Sequence, residues 1–160
     1  MRISIIIPTF NNLEYLKLVL KSINNNSNYL HEIIVHVNEG SDGTYDYVKK
    51  NSIKHSYSSK NIGLCSAVNN AAALSTSNYI MYTHDDMFFC KNWDVFLKKK
   101  VEDQKNNFFY LSGKTISDND TNNNFKCGLS HDTFDSDLFD KFCKATLSSD
   151  LQGSHWAPHL

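Results

Sequence analysis

The sequence predicts an α/β domain with a mostly parallel central sheet flanked by helices. Two observations carry that prediction. Short β-branched runs alternate with segments of helical spacing through the first two thirds of the chain, as strands joined by crossover helices do. The first run is also continuously apolar rather than alternating, which is how a strand covered on both faces reads.

The elements follow in order. Ile3 to Ile7 is the first strand and stops at Pro8. Asn11 is placed to cap a helix, with Glu14 three residues on completing a capping-box pattern. Leu13, Leu16, Leu20 and Ile23 repeat at helical spacing, and Asn24 to Asn28 ends that helix. Glu32 to Val37 is a second strand running into the Asn38-to-Thr44 turn, whose two glycines and short polar residues favour a reversal. A short helix follows from Tyr45 to Lys50, then a weaker strand from Ile53 to Tyr57. Asn61 to Leu64 is a loop feeding an alanine-rich helix from Ser66 to Leu74. A fourth strand, Asn78 to Thr83, leads into His84-Asp85-Asp86. A helix from Asn92 to Gln104 and a strand from Phe108 to Leu111 complete the regular alternation.

Beyond Ser112 the chain becomes rich in aspartate, including Asp118, Asp120, Asp132, Asp135, Asp137 and Asp140. A strand from Phe125 to Leu129 and a helix from Asp137 to Thr146 are expected there. The Asn24–Asn26 and Asn122–Asn124 clusters read as loops, with no function attached.

Length and composition narrow the function. The 160 residues suit one domain, with 41% hydrophobic and 21% charged residues. Sixteen basic and seventeen acidic residues leave a net charge of -1, which argues against a general nucleic-acid binder or a polybasic membrane-surface protein. The opening apolar run is too short for a signal peptide, and no stretch approaches the ~18 residues of a spanning helix. Cys65, Cys90, Cys127 and Cys143 form no CxxC pair, so they read as reduced thiols in a cytoplasmic protein rather than as a zinc site or disulfide framework.

Three polar clusters then stand at strand ends: Pro8-Thr9-Phe10-Asn11, Asn38 to Asp42, and His84-Asp85-Asp86. An open parallel sheet binds ligands outside the carboxyl ends of its strands. The first two clusters suit a base and a ribose. The adjacent carboxylates of the third are hard oxygen ligands of the kind Mg²⁺ and Mn²⁺ prefer, and a metal held there would stabilise a leaving diphosphate. Taken singly, each cluster also fits a strand end, a turn or a helix cap. Their order and placement together favour a site.

On these residues the chain resembles the family 2 glycosyltransferases of the GT-A fold, a Rossmann-like nucleotide-diphospho-sugar transferase architecture. The resemblance rests on Ile5-Ile6-Ile7-Pro8-Thr9-Phe10-Asn11, on Ile33 to Thr44 with its Gly-Ser-Asp-Gly-Thr turn, on Asn61 to Asn69, and on the strand ending at Asp86. It covers about residues 3–100. It implies that Pro8, Thr9 and Asn11 line a nucleotide pocket and that Glu39 contacts the base edge. Ser41 and Asp42 would shape the turn, and Asn61 and Gly63 would border the nucleotide. Asp86 matches the last residue of the DxD motif, the usual ligand for Mn²⁺ or Mg²⁺, with Asp85 assisting. The implied donor is a nucleotide sugar, a UDP-sugar favoured, and the acceptor is a glycan or lipid-linked hydroxyl of unknown identity.

The departures shape the expectation. Asn38 stands where the family often has aspartate. His84 stands at the first position of the DxD motif, where it would bond ribose, ligate a metal, or simply pack beside the strand end. No catalytic base is assigned: Asp132, Asp135, Asp137 and Asp150 are the distal carboxylates considered, each equally at home on a solvated face or at a helix cap. Gln152 to Leu160 resembles an acceptor-side loop in which Trp156 would stack on a sugar. The expectation is a single GT-A-like domain over 1–160, with 1–112 binding the nucleotide sugar and 113–160 forming part of the acceptor side. The alternative is a non-catalytic or truncated nucleotide-sugar-binding or interaction module, whose exposed apolar surface would drive homo-oligomerisation. A sugar nucleotidyltransferase is a weaker fit, because Pro8 to Asn11 replaces a Gly-rich, Arg-containing loop and Arg2 is the chain's sole arginine. The expected location is cytoplasmic, or peripheral to a membrane.

Overall fold

Residues 1–106, 108–113, 115–116, 127–146 and 155–156 are described by the computed structural model. They divide into two compact units, Met1–Lys17 with Tyr29–Asp85, and Leu18–Asn28 with Asp86–Leu160.

The first unit is built on β1 (Ser4–Phe10), β2 (Glu32–Asn38), β3 (Lys54–Ser58) and β4 (Ile80–Tyr82), all parallel, in the order β3-β2-β1-β4. The β-branched run of β1 takes the inner place, where Ile5, Ile6 and Ile7 are fully buried. Helix α1 (Leu13–Asn26) follows β1, α2 (Thr44–Lys50) follows β2, and α3 (Leu64–Ala72) follows β3. The small residues of α3 allow close approach: Ala71 packs on Ile6 and Ile34, with Val68, Ala72 and Leu74 around them. The alternation read from sequence is therefore the observed one, and the fold is α/β.

Strand β1 does not stop at Pro8, as expected, but continues to Phe10. The reason lies in the ladder. Ser4 donates to Tyr79 and Ile6 accepts from Thr83, so the even residues of β1 face β4. Pairing with β4 ends at Ile6 opposite Tyr82. Pro8 therefore lacks a donor where none is needed.

At the amino ends of the strands, Glu32 is buried and collects four bonds. Ser4 Oγ donates at 2.5 Å, Lys54 Nζ at 2.7 Å, Thr76 N–H at 2.8 Å and Thr76 Oγ1 at 2.9 Å. Burial pushes this carboxyl up, but the bonds from Lys54, Ser4 and Thr76 outweigh it and bring it down to about 2.

The second unit holds β5 (Phe88–Phe89), α4 (Trp93–Glu102), β6 (Thr115–Ile116), α5 (Ser136–Thr146) and β7 (His155–Trp156). The strands pair in the order β5-β7-β6, with β7 antiparallel to β5 and parallel to β6. The expected strand at Phe108 to Leu111 is irregular instead. Phe108 and Tyr110 are 95% and 89% exposed, so their side chains gain no packing that would hold a strand. Of the expected strand at Phe125 to Leu129, residues 125–126 lie outside the described ones and 127–129 are irregular. Asp118, Asp120, Asp150, Asn122–Asn124, 152–154, 157–160 and the Trp156 side chain also lie outside them.

The asparagines near residue 26 are more than loop formers. Asn26 Nδ2 donates to Phe89 O at 2.6 Å, and Asn28 N–H donates to the buried Asp94 at 2.7 Å. Asp135 Oδ1 caps α5 by accepting from the N–H groups of Asp137 and Leu138 at 3.0 and 2.9 Å. The adjacent carboxylates Glu102 and Asp103 close α4, with Glu102 Oε1 3.6 Å from Lys98. No helix among the described residues is long and apolar enough to cross a membrane.

Candidate functional site

Because all four strands of the first unit run parallel, their carboxyl ends and the segments that follow lie along one sheet edge. The strand order places β2 and β3 on one side of β1 and β4 on the other, so a topological switch point falls between β1 and β4.

Thr9 is buried near the end of β1, and its Oγ1 has no hydrogen-bond partner among the described residues. A buried hydroxyl in that state costs about 1–3 kcal/mol unless a further group bonds it. Phe10, the next residue, is 47% exposed at the strand end.

Asn11 does not cap α1. Its backbone is left-handed, with φ 47°, and its side chain reaches the turn after β2. Asn11 Oδ1 accepts the Ser41 N–H at 2.9 Å. A backbone N–H only donates, so this bond fixes the amide orientation and turns Nδ2 toward Glu39 Oε1, 3.4 Å away. Ser41 Oγ donates to the same Glu39 oxygen at 3.0 Å. Glu39 is itself left-handed, φ 62°, a conformation costing about 1–2 kcal/mol in a residue with Cβ. Two donors thus orient the carboxylate of a residue whose backbone is strained, and such strain concentrates at functional sites.

The helix cap comes from Asp42 instead. Its Oδ2 accepts Leu13 N–H at 2.9 Å, opening α1, and its Oδ1 accepts Thr44 Oγ1 and N–H at 2.6 and 3.0 Å, opening α2. Partial burial pushes this carboxyl up, and the bonds from Thr44 and Leu13 outweigh that and hold it below the ordinary range. Gly40 is required at the centre of the turn. Its φ is 72°, and a Cβ there would stand 2.7 Å from Val37 Cγ1 and 2.9 Å from Tyr45.

Asn38 ties the next loop down. Its Oδ1 accepts Ser58 Oγ at 3.0 Å and Ile62 N–H at 3.1 Å, joining the ends of β2 and β3 to the segment carrying Asn61 and Gly63. Asn61 Oδ1 accepts Gly63 N–H at 2.9 Å. Gly63 has φ 81° and ψ 163°, a region open essentially to glycine alone. Behind this loop, His36 is fully buried, with ring nitrogens 2.7 Å from Ser56 Oγ and 3.2 Å from Ser58 Oγ. Burial pushes it down, only partly offset by a bond with Asn38. Asn38→Ala is expected to release the loop by about 1–2 kcal/mol, read as faster hydrogen exchange at the Ile62 amide. Unchanged protection there would show that the tether carries no weight.

At the end of β4, His84 is exposed. Its Nε2 lies 2.9 Å from Tyr82 OH and its ring is tilted on Tyr82 at 5.1 Å. Asp85 closes the first unit and Asp86 opens the second. Asp86 Oδ1 is shielded from solvent. Among the described residues no group of three or more His, Cys, Asp or Glu side chains is placed to hold a metal ion.

The parallel sheet with its flanking helices is an α/β fold similar to that of GT-A glycosyltransferases. A family model described as glycosyl transferase family 2 matches residues 4–149, and the chain belongs to that family. Among solved structures, it is similar to S. aureus TarS 1-349, at 21% identity over 63% of this chain and 32% of that chain, TM-score 0.53. The UDP complex of that protein gives 24% identity over 64% and 31%, TM-score 0.53. The UDP-GlcNAc complex gives 22% over 64% and 30%, TM-score 0.51. At these identities the likeness is one of fold. The chain spans about a third of the length of those structures. No curated protein matches it.

Proposed function

We propose that this family 2 domain binds a nucleotide sugar, a UDP-sugar, at the carboxyl edge of its first sheet and takes part in moving the sugar to an acceptor hydroxyl. The observation that carries the reading is the cross-bonded edge itself. Asn11, Glu39 and Ser41 orient one another, Asn38 tethers the Asn61–Gly63 loop, and Thr9 holds a buried hydroxyl with no partner among the described residues. Such a preorganised polar rim is what a diphosphate-linked ribonucleoside needs. The choice of uridine takes support from the UDP and UDP-GlcNAc held by the similar TarS structures.

In this reading Pro8, Thr9 and Asn11 line the nucleotide pocket, Glu39 accepts from the base edge, and Ser41 and Asp42 keep the turn in shape. Asn61 and Gly63 border the nucleotide, and His84 and Asp85 close the rim. Asp86 holds Mn²⁺ or Mg²⁺. The donor set fits such an ion: Mg²⁺ is commonly held by one or two carboxylates, its shell completed by substrate phosphates and water, and Asp85-Asp86 offers that many. When bound, the ion would neutralise charge on the departing diphosphate. Residues 1–112 serve the donor and residues 113–160 part of the acceptor side.

Calorimetric titration of UDP, with GDP as control, tests the reading with and without Mn²⁺. Metal-dependent binding of UDP over GDP is expected. Failure of both nucleotides to bind would overturn the donor assignment, and metal-dependent binding without sugar transfer would leave the chain a binding module.

A further inference from the structure

Three cysteines far apart in sequence converge in the interior of the second unit: Cys90 and Cys127 are 1% exposed and Cys143 is 4% exposed. The neighbours of Cys90 show how it meets α5. Phe88 packs edge-on against Phe139, ring centroids 5.7 Å apart, and Lys91 Nζ bonds Asp140 Oδ2 at 2.9 Å. Residues three and four apart lie on one side of a helix, so Phe139, Asp140 and Cys143 share the side that β5 and its exit run against. The Cys143 and Cys90 thiols are hydrogen-bonded there. Cys127 is brought to the entry of α5 by its carbonyl, which accepts Asp135 N–H at 2.6 Å.

We propose that Cys90 and Cys143 are an oxidisable dithiol, a modification site at which a small-molecule disulfide installs a bond stapling β5 to α5. One protein thiolate attacks a sulfur of the small disulfide and expels one thiol. The second protein thiolate then attacks the mixed disulfide and expels the other. The two cysteines lose two protons and two electrons, and the oxidant leaves as two thiols. Hydrogen bonding to Cys90, burial, and the nearby Cys90, Asp140 and Cys127 groups all push the Cys143 thiol up. The pair is therefore slow to react in the closed unit and is oxidised through its opened forms. Cys90 stands four residues after Asp86, so the bond anchors the segment leaving the acidic run. The inference does not depend on the transferase reading.

The test uses the full chain carrying Cys65→Ser, which removes the exposed thiol. Oxidised glutathione is expected to give a species lacking two hydrogens, with a single linked peptide pair containing Cys90 and Cys143. Dithiothreitol should reverse it, and the oxidised form should melt about 5 °C or more higher. In denaturant the shorter Cys127–Cys143 loop is favoured instead, so native pairing reports the folded geometry. Native linkage through Cys127, glutathione adducts without a protein disulfide, or no reaction at either thiol after prolonged exposure overturns the proposal.

Discussion

On the proposed function, Asp86→Asn is expected to lower metal-dependent sugar transfer by roughly 10²–10³-fold, the scale on which loss of one preorganised electrostatic group at a developing charge is felt. Asparagine keeps the shape and removes the negative charge that a divalent ion needs. UDP affinity in the presence of Mn²⁺ should fall toward the metal-free value, and affinity without metal should stay the same. That pattern separates loss of a ligand from loss of the fold, because a misfolded sheet edge would weaken both. Identical Mn²⁺ dependence in the variant and the parent would remove Asp86 from the metal site. Asp85→Asn is the natural companion, with a smaller effect expected from an assisting group.

A second large effect is expected at the opposite edge of the sheet. Glu32 stands at about 2 in the folded protein against 4.5 as an ordinary glutamate, the bonds from Lys54, Ser4 and Thr76 outweighing burial. Between those values the unfolded chain binds more protons than the folded one. The stabilisation is therefore complete above pH 4.5 and is lost as pH falls from 4.5 toward 2. It amounts to about 2–3 kcal/mol after allowing for the half-exposed Lys54. Glu32→Ala should cost about 3 kcal/mol at pH 7, since it strands Thr76 N–H and the buried Ser4 hydroxyl. Chemical denaturation of parent and variant from pH 7 to pH 2 checks both statements. Parallel stability curves for the two proteins would mean that Glu32 is not the titrating group.

The two predictions differ in how far the sequence anticipated them. Asp86 is legible as the last of two adjacent carboxylates after an apolar run, a local pattern with a chemical meaning. Glu32 is not, because nothing in Glu32-Ile33-Ile34 says that Lys54, Ser4 and Thr76 will converge on it. The same contrast runs through the site. The polar segments Pro8–Asn11, Asn38–Asp42 and His84–Asp86 stand out as strand-end clusters. Which of their members bind one another does not. Asn11 reads locally as a helix cap, whereas tertiary contact gives that task to Asp42 and turns Asn11 onto Ser41 and Glu39. Phe108 to Leu111 has the residues of a strand, but Phe108 and Tyr110 lie exposed and the segment stays irregular.

By itself, then, the sequence determined the α/β alternation, the parallel sense of the first sheet, the strand-end placement of the polar clusters and the family resemblance. Each of these follows from hydrophobic period, turn residues and chain connectivity, which are properties of neighbours along the chain. The tertiary structure alone decided that β1 passes through Pro8, that Asp42 caps two helices, that Glu32 is a buried ion-pair hub, and that Cys90 meets Cys143. Those outcomes depend on which donors and acceptors meet across long sequence separations, where burial makes every unpaired polar group costly. That selection operates in three dimensions and leaves little trace in local pattern.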